Sequence, residues 1–194
     1  MRIILASQSP RRRELLERMG ITKFDIIPAK GEEIADPALS PQALVEALSR
    51  QKAAEVADQF PDALVIAADT VVAIDGKVLG KPNSPEHAIE MLTNLSGRAH
   101  HVYTGFTVRC GQTIVTAHED TTVKFRQLTA QEIASYVATG EPMDKAGSYG
   151  IQGFGCVLVS GIQGDYYNVV GLPVCRLFQV LEQFGVNGLT GEGM

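Results

Sequence analysis

The segment Leu64-Val65-Ile66-Ala67-Ala68-Asp69-Thr70-Val71-Val72-Ala73-Ile74 constrains the fold more than any other part of the chain. Apolar on both sides of a single polar pair, it reads as a strand buried on both faces, in the interior of a sheet. An ionised carboxylate in such a run costs several kcal/mol unless it is paired, hydrogen-bonded or bound to a metal ion. Asp69 therefore points to a cleft that reaches the strand, where a carboxylate can ligate Mg²⁺ or take a proton from water. The plainer alternative is a strand break in which Asp69 bonds to the local backbone.

Around this strand the signals alternate. Residues 2–6 read as a short buried strand, after which Ser9 at an N-cap position and Pro10 at the first helical position open a helix over 11–19 that stops at Gly20. A second short strand over 24–28 and a polar loop over 29–40 lead to a helix that starts at Ser40-Pro41 and runs to about residue 58. Asp75-Gly76 is a hairpin signal leading into 77–79, and Ser84-Pro85 starts a helix over 86–94. Two long strands, 99–109 and 113–126, are joined at Cys110-Gly111-Gln112, and Thr129-Ala130-Gln131-Glu132 matches a capping box for a helix ending near 139. A glycine-rich stretch over 147–155, a strand over 156–162 and a closing helix over 172–184 complete the pattern.

Strands that first alternate with helices and then form a long hairpin fit an α/β fold with a mixed central sheet flanked by helices. No internal repeat or long linker divides the chain, so one domain over 1–186 is expected, and the remainder, 187–194, has little to pack against and is expected to be flexible.

The composition, 45% hydrophobic and 20% charged, supports a sizeable core. A net charge of −5 argues against broad binding to nucleic acid or an anionic membrane, so any phosphate must meet a local cluster of positive groups. No apolar stretch reaches the ~18 residues of a membrane helix, and the first residues are too soon polar for a signal peptide. The three cysteines form no CxxC pair or zinc pattern and read as reduced thiols in or near the core, so a cytoplasmic location is expected.

Positive charge is concentrated in Ser7-Gln8-Ser9-Pro10-Arg11-Arg12-Arg13. Arginines in a first helical turn oppose the helix dipole, and a bound polyphosphate at that N-terminus explains their placement better than helix formation does. A serine cap followed by solvated arginines is the alternative. Glu33 in the pair Glu32-Glu33, Lys52 on an alanine-rich helix, and Lys81 in Gly80-Lys81-Pro82 each read alone as a surface charge. Together with Asp69 and the arginine loop they can form a metal–phosphate site. In Asp144-Lys145-Ala146-Gly147-Ser148-Tyr149-Gly150-Ile151-Gln152-Gly153 the glycines permit close backbone approach, and Gln152 carries the donor and acceptor set for a nucleobase edge. Neither GxxxxGK[ST] nor GxGxxG is present. His100 and His101 fall on a strand that sends their rings to opposite faces, with no metal-like spacing.

The stretches LASQSPRRRELL (5–16), EE (32–33), SRQKA (49–53), AADTVV (67–72), LGKP (79–82), LSGRAHHVYTG (95–105), the DKAGSYGIQG run (144–153) and GDYYNVVGLP (164–173) together resemble the Maf family of nucleoside triphosphate pyrophosphatases, in the family's order across about 1–185. The resemblance implies a cytoplasmic, metal-dependent enzyme that splits a nucleoside triphosphate into monophosphate and pyrophosphate. It also implies a fold similar to inosine-triphosphate pyrophosphatases, two lobes around a cleft, and often a homodimer. The DKAGSYGIQG run is similar to the branch acting on dTTP, UTP and modified pyrimidine nucleotides; a sister branch acts on 7-methyl-GTP. By position, Asp69 matches the family's proton acceptor, Arg11, Thr70 and Gln152 its specificity positions, and Ser7, Ser9, Arg12, Glu33, Lys52 and Lys81 its other polar cleft positions. Asp165 departs from the serine the family often carries there.

The expected chemistry is attack by water on the α-phosphorus with Asp69 as base. Mg²⁺ or Mn²⁺ on Asp69, with Glu33 as second candidate ligand, bridges phosphate oxygens, and the cations stabilise the leaving pyrophosphate. The alternatives are a 7-methyl-GTP pyrophosphatase and a nucleotide-binding regulator of septum formation.

Overall fold

The computed structural model describes residues 1–190. In chain order the elements are β1 (Ile3–Leu5), α1 (Pro10–Arg18), β2 (Asp25–Ile26), α2 (Pro41–Ala57), β3 (Leu64–Ile74), β4 (Lys77–Leu79), α3 (Pro85–Leu95), β5 (Ala99–Cys110), β6 (Thr113–Phe125), α4 (Ala130–Ala138), β7 (Val159–Gln163), α5 (Tyr166–Val170) and α6 (Val174–Glu182). The sheet order is β2-β1-β3-β5-β6-β7, with β4 also paired to β3. Pairings among β1, β2 and β3 are parallel and the rest antiparallel, so the sheet is mixed. Three helices begin alike: Ser9, Ser40 and Ser84 each accept a hydrogen bond from a backbone N–H of the first turn, with proline next in sequence. Thr129 and Glu132 form the expected capping box on α4.

Strand alternation in β3 explains the position of the polar pair. Val65, Ala67, Val71 and Ala73 face α2, and Asp69 falls between the first two, which pack with Ala53 and Val56, and the second two, which pack with Leu44 and Leu48. On the other face Leu64, Ile66 and Ala68 join a core with α1 and α6, while Val72 and Ile74 join a second core with α3 and α4. Thr70 lies between those two cores. Each polar residue thus interrupts the apolar packing on its own face, between two clusters of the core.

One edge of β3 is open at the same place. β1 pairs with residues 64–66 and β4 with 72–74, so the stretch 67–71 has a strand on its β5 side alone. The cleft enters through this gap, beside the carboxyl end of β1, where open α/β sheets commonly bind ligands.

Several expectations need correction. The strand expected over 24–28 pairs at Asp25–Ile26 alone. The glycine-rich stretch is not one loop: 3-10 turns span Ala146–Ser148 and Phe154–Leu158, so the strand expected from 156 begins at Val159. The helix expected over 172–184 starts at Val174, after Pro173, and a separate α5 precedes it. Gly171, at φ 122°, divides the two. Asp165 caps α5 by accepting from the Tyr167 N–H at 2.7 Å, the task a serine would perform there. Residues 187–190, expected to lack packing, turn back on the end of α1: Asn187 Oδ1 accepts from Leu189 N–H at 2.9 Å, and Gly188 lies so close to Met19 and Gly20 that a Cβ on it would overlap the Met19 carbonyl. The rest of that segment, 191–194, lies outside the described residues. Cys156 and Cys175 are exposed rather than in the core, and Cys110 is half-buried. Among the described residues, no helix is long and apolar enough to cross a membrane.

Candidate active site

The gap beside β3 opens into a cleft of about 770 Å³, within the range of small-molecule sites. Nine of the ten residues singled out in the sequence line it: Ser9, Arg11 and Arg12 from the start of α1, Glu33, Lys52, Asp69 and Thr70, Lys81, and Gln152. Ser7 is the exception. It is buried beside the cleft, where its Oγ accepts from the Ser9 N–H at 3.2 Å and from Arg12 Nη1 at 3.2 Å.

Lys52 Nζ donates to Asp69 Oδ1 at 2.6 Å and lies 3.0 Å from Glu33 Oε1. The paired charge is what makes a carboxylate tolerable in this strand, so the pairing alternative holds and the strand does not break. Lys52 reaches it because α2 lies directly on the sheet. Gly105, opposite Asp69 in the β3–β5 ladder, has no side chain, and a Cβ there would press into the Val45 carbonyl and lie 2.8 Å from the Glu46 nitrogen. Asp69 Oδ2 takes no hydrogen bond from the described residues, and this oxygen is free to accept a proton.

Arg12 lies on the opposite face of β3. Its Nε donates to the Gly171 carbonyl at 2.8 Å, Nη1 to Ser7 Oγ at 3.2 Å and Nη2 to Thr70 Oγ1 at 3.1 Å. Burial lowers its pKa, the Asp69 carboxylate opposes that shift, and the guanidinium stays charged. The hydroxyl directions follow by elimination. Thr104 donates to the Asn168 carbonyl at 2.9 Å, so in its 2.9 Å contact with Thr70 it accepts; Thr70 donates to Thr104 and accepts from Arg12. Arg11 and Lys81 make no side-chain hydrogen bond to the described residues. Both are cations with donors to offer a ligand.

Gln152 is exposed on the cleft wall and likewise makes no side-chain bond to the described residues. Its loop is supported by residues given no role from sequence. Glu141, Lys145 and Tyr149 also line the cleft. Lys145 Nζ donates to the Glu141 carbonyl and to Asp144 Oδ1, each at 2.6 Å. Lys145 and Tyr149 belong to the run singled out in sequence, whereas a lone glutamate before a proline carries no signal of its own.

His100 and His101 do point to opposite faces. His101 is exposed and stacks on Tyr103, with centroids 5.8 Å apart. His100 is fully buried with Nε2 2.7 Å from the Tyr149 hydroxyl, and burial lowers its pKa to about 4.

Among the described residues no group of three or more His, Cys, Asp or Glu forms a metal cluster. Asp69 and Glu33 nevertheless converge on one cation, the Lys52 ammonium. Such an oxygen pair fits Mg²⁺, which takes one or two carboxylates and completes its shell with water and phosphate oxygens.

The family described as Maf-like protein matches residues 2–184. A dTTP/UTP pyrophosphatase of Moorella thermoacetica is 54% identical over 189 residues, covering 96% of each chain. One of Symbiobacterium thermophilum is 51% identical, covering 97% of each. Among solved structures, a HAM1 protein from Coxiella burnetii shares the fold with TM-score 0.54 at 16% identity, over 94% of this chain and 99% of that one.

Proposed function

The chain belongs to the Maf-like protein family, and we propose that it hydrolyses dTTP, UTP and modified pyrimidine nucleoside triphosphates to the monophosphate and pyrophosphate, clearing the nucleotide pool. The relatives that share about half its sequence across 96–97% of its length are named for dTTP and UTP. One structural observation carries the reading most directly: a carboxylate with one oxygen held by Lys52 and the other free, in a cleft that Arg11, Arg12 and Lys81 also line.

Asp69 Oδ2 takes a proton from the water that attacks the α-phosphorus, while Lys52 holds the carboxylate in place. Arg12 and the N-terminus of α1 at Ser9 hold phosphate oxygens. Arg11 and Lys81 close on the β- and γ-phosphates, so the charge that builds on the leaving pyrophosphate meets donors already in position. Ser7 anchors the Arg12 fork. Thr70 and Gln152 face the nucleoside. Asp69 and Glu33 would hold a divalent cation, Mg²⁺ or Mn²⁺, which when bound neutralises phosphate charge.

The test is pyrophosphate release with Mg²⁺ or Mn²⁺ from dTTP, UTP, CTP, GTP, ITP and 7-methyl-GTP, by the native protein and by Asp69→Asn. Release from dTTP and UTP that falls by about 10³-fold or more in the variant is expected. Preference for 7-methyl-GTP would overturn the pyrimidine assignment and leave the chemistry standing. Near-native turnover by the variant would remove Asp69 from the role of base.

A further inference from the structure

The loop that carries Gln152 is held from beneath at three backbone N–H groups. Gly155 N–H donates to Glu141 Oε1 at 3.0 Å, Phe154 N–H to Glu141 Oε2 at 2.7 Å, and Gly150 N–H to the Tyr136 hydroxyl at 3.1 Å. The Tyr136 hydroxyl donates in turn to Glu141 Oε1 at 2.9 Å. Three donors therefore converge on the two oxygens of Glu141, an arrangement that favours the ionised, acceptor-only carboxylate. Burial raises the Glu141 pKa, but the Gly155 and Phe154 N–H groups, the Tyr136 hydroxyl and Lys145 outweigh it, and the group is held below its ordinary value. The glycines make the close approach possible: a Cβ at Gly153 would overlap Glu141 Oε2, and one at Gly155 would meet the Gly150 carbonyl and lie 2.8 Å from the Tyr136 hydroxyl. Between the two clamps, Gln152 has no side-chain partner among the described residues, so its position rests on how firmly its backbone is held.

We infer that Glu141, with Tyr136, is a positioning residue for base selection, fixing the height and direction of Gln152 through the backbone of residues 150–155. This inference rests on the reading that Gln152 meets the nucleobase. A carboxamide at 141 keeps the volume of glutamate but replaces one acceptor oxygen with a donor, which then faces an N–H or O–H it cannot satisfy. The loop shifts, Gln152 moves with it, and the triphosphate end of the cleft, built from α1, α2, β3 and Lys81 after β4, is untouched.

The experiment compares the native protein, Glu141→Gln, Gln152→Ala and the double variant. It measures kcat/KM for pyrophosphate release from UTP and GTP, and inhibition by inorganic tripolyphosphate as a probe of the phosphate end. Glu141→Gln is expected to lower kcat/KM for UTP by about ten- to hundredfold and to lower the UTP-to-GTP ratio, with tripolyphosphate inhibition within about twofold of native. Once Glu141 is replaced, removal of Gln152 should cost little more. If Glu141→Gln weakens tripolyphosphate as much as it weakens UTP, the residue supports the whole fold and the inference fails. If Gln152→Ala lowers the UTP-to-GTP ratio but Glu141→Gln does not, the inference fails while the base reading of Gln152 survives. If Gln152→Ala leaves the ratio unchanged, the base reading fails first and the inference with it. Should Glu141→Gln not fold, Tyr136→Phe removes the acceptor of the Gly150 N–H and one of the three donors to Glu141, and it must show the same pattern at smaller size; native selectivity in that variant overturns the inference.

Discussion

Gly105→Ala puts the link between packing and catalysis to a direct test. Gly105 is paired with Asp69 across the β3–β5 ladder, and its missing side chain lets the α2 backbone sit on the sheet at Val45 and Glu46. An added methyl would lie 2.8 Å from the Glu46 nitrogen and closer still to the Val45 carbonyl, where an ordinary contact needs about 3.5 Å. Both opposing groups are backbone, so no side chain can turn aside, and α2 must withdraw by about 1 Å. Overpacking of this kind costs about 1–3 kcal/mol, which for a chain of this length lowers Tm by roughly 2–12 °C. The same helix carries Lys52, whose Nζ is 2.6 Å from Asp69 Oδ1; a withdrawal of that size breaks the contact and should lower kcat on the order of a hundredfold. Gly161→Ala is the control, because a Cβ there meets nothing within 4 Å, and its stability should stay within about 0.5 kcal/mol of native. Thermal unfolding and pyrophosphate release from UTP, measured on the same preparations, give both numbers. A Gly105→Ala protein with native Tm and native kcat would refute the claim that this glycine sets the distance between Lys52 and Asp69.

Two further substitutions address the other face of β3 and the buried histidine. Arg12→Lys keeps the charge but cannot reach Gly171, Ser7 and Thr70 together, as the guanidinium does at 2.8–3.2 Å. Its kcat/KM for UTP should fall by about ten- to hundredfold, and a loss under about threefold in steady-state assays would show that charge without the fork suffices. His100 has its pKa lowered by burial from 6.5 to about 4, so the unfolded chain binds the extra proton first as pH falls. Its contribution is fully present above about pH 6.5 and declines towards pH 4, with about 2 kcal/mol gone by pH 5. Urea unfolding at pH 7 and pH 5 should show this slope in the native protein and a shallower one in His100→Gln, and equal slopes in the two proteins would refute it.

What the sequence revealed, and what it hid, follows from the range of each interaction. The Ser-Pro helix starts, the Asp75-Gly76 hairpin and the apolar run of β3 are local, and each was legible within a few residues. Asp69 was legible as an anomaly because a carboxylate in a buried strand demands a partner, but that partner, Lys52, lies 17 positions away on a helix and no spacing rule reaches it. Gly105 looked like any glycine in a strand, and its meaning depends on which helix crosses it. Glu141 carried no signal because two of its three hydrogen-bond donors are backbone N–H groups, which have no sequence identity at all. Residues 156–158 read as the start of a strand, yet Gly153 and Gly155 are held against Glu141 and Gly150 and the chain coils over 154–158 before β7 begins.

The two faces of β3 also separate two charges that would otherwise cancel. Asp69 and Arg12 both reach the cleft, and adjacent residues on one strand point to opposite sides of the sheet, so the Arg12 guanidinium meets Thr70 instead of the carboxylate beside it. Every hydrogen-bond partner of the Arg12 guanidinium among the described residues is neutral: two hydroxyls and a carbonyl. Neutral acceptors orient the guanidinium without neutralising it, so its charge remains for a phosphate, whereas a salt bridge to Asp69 would remove the cation and the base together. Asp69 is paired on its own face with Lys52 through one oxygen, and its second oxygen remains open. The proposed proton acceptor and the proposed anion-binding fork can therefore stand side by side in the cleft because a strand and the gap in its edge hold them apart while exposing both. Moving the carboxylate by a single position along β3 would put it on the face of Arg12 and close the pair.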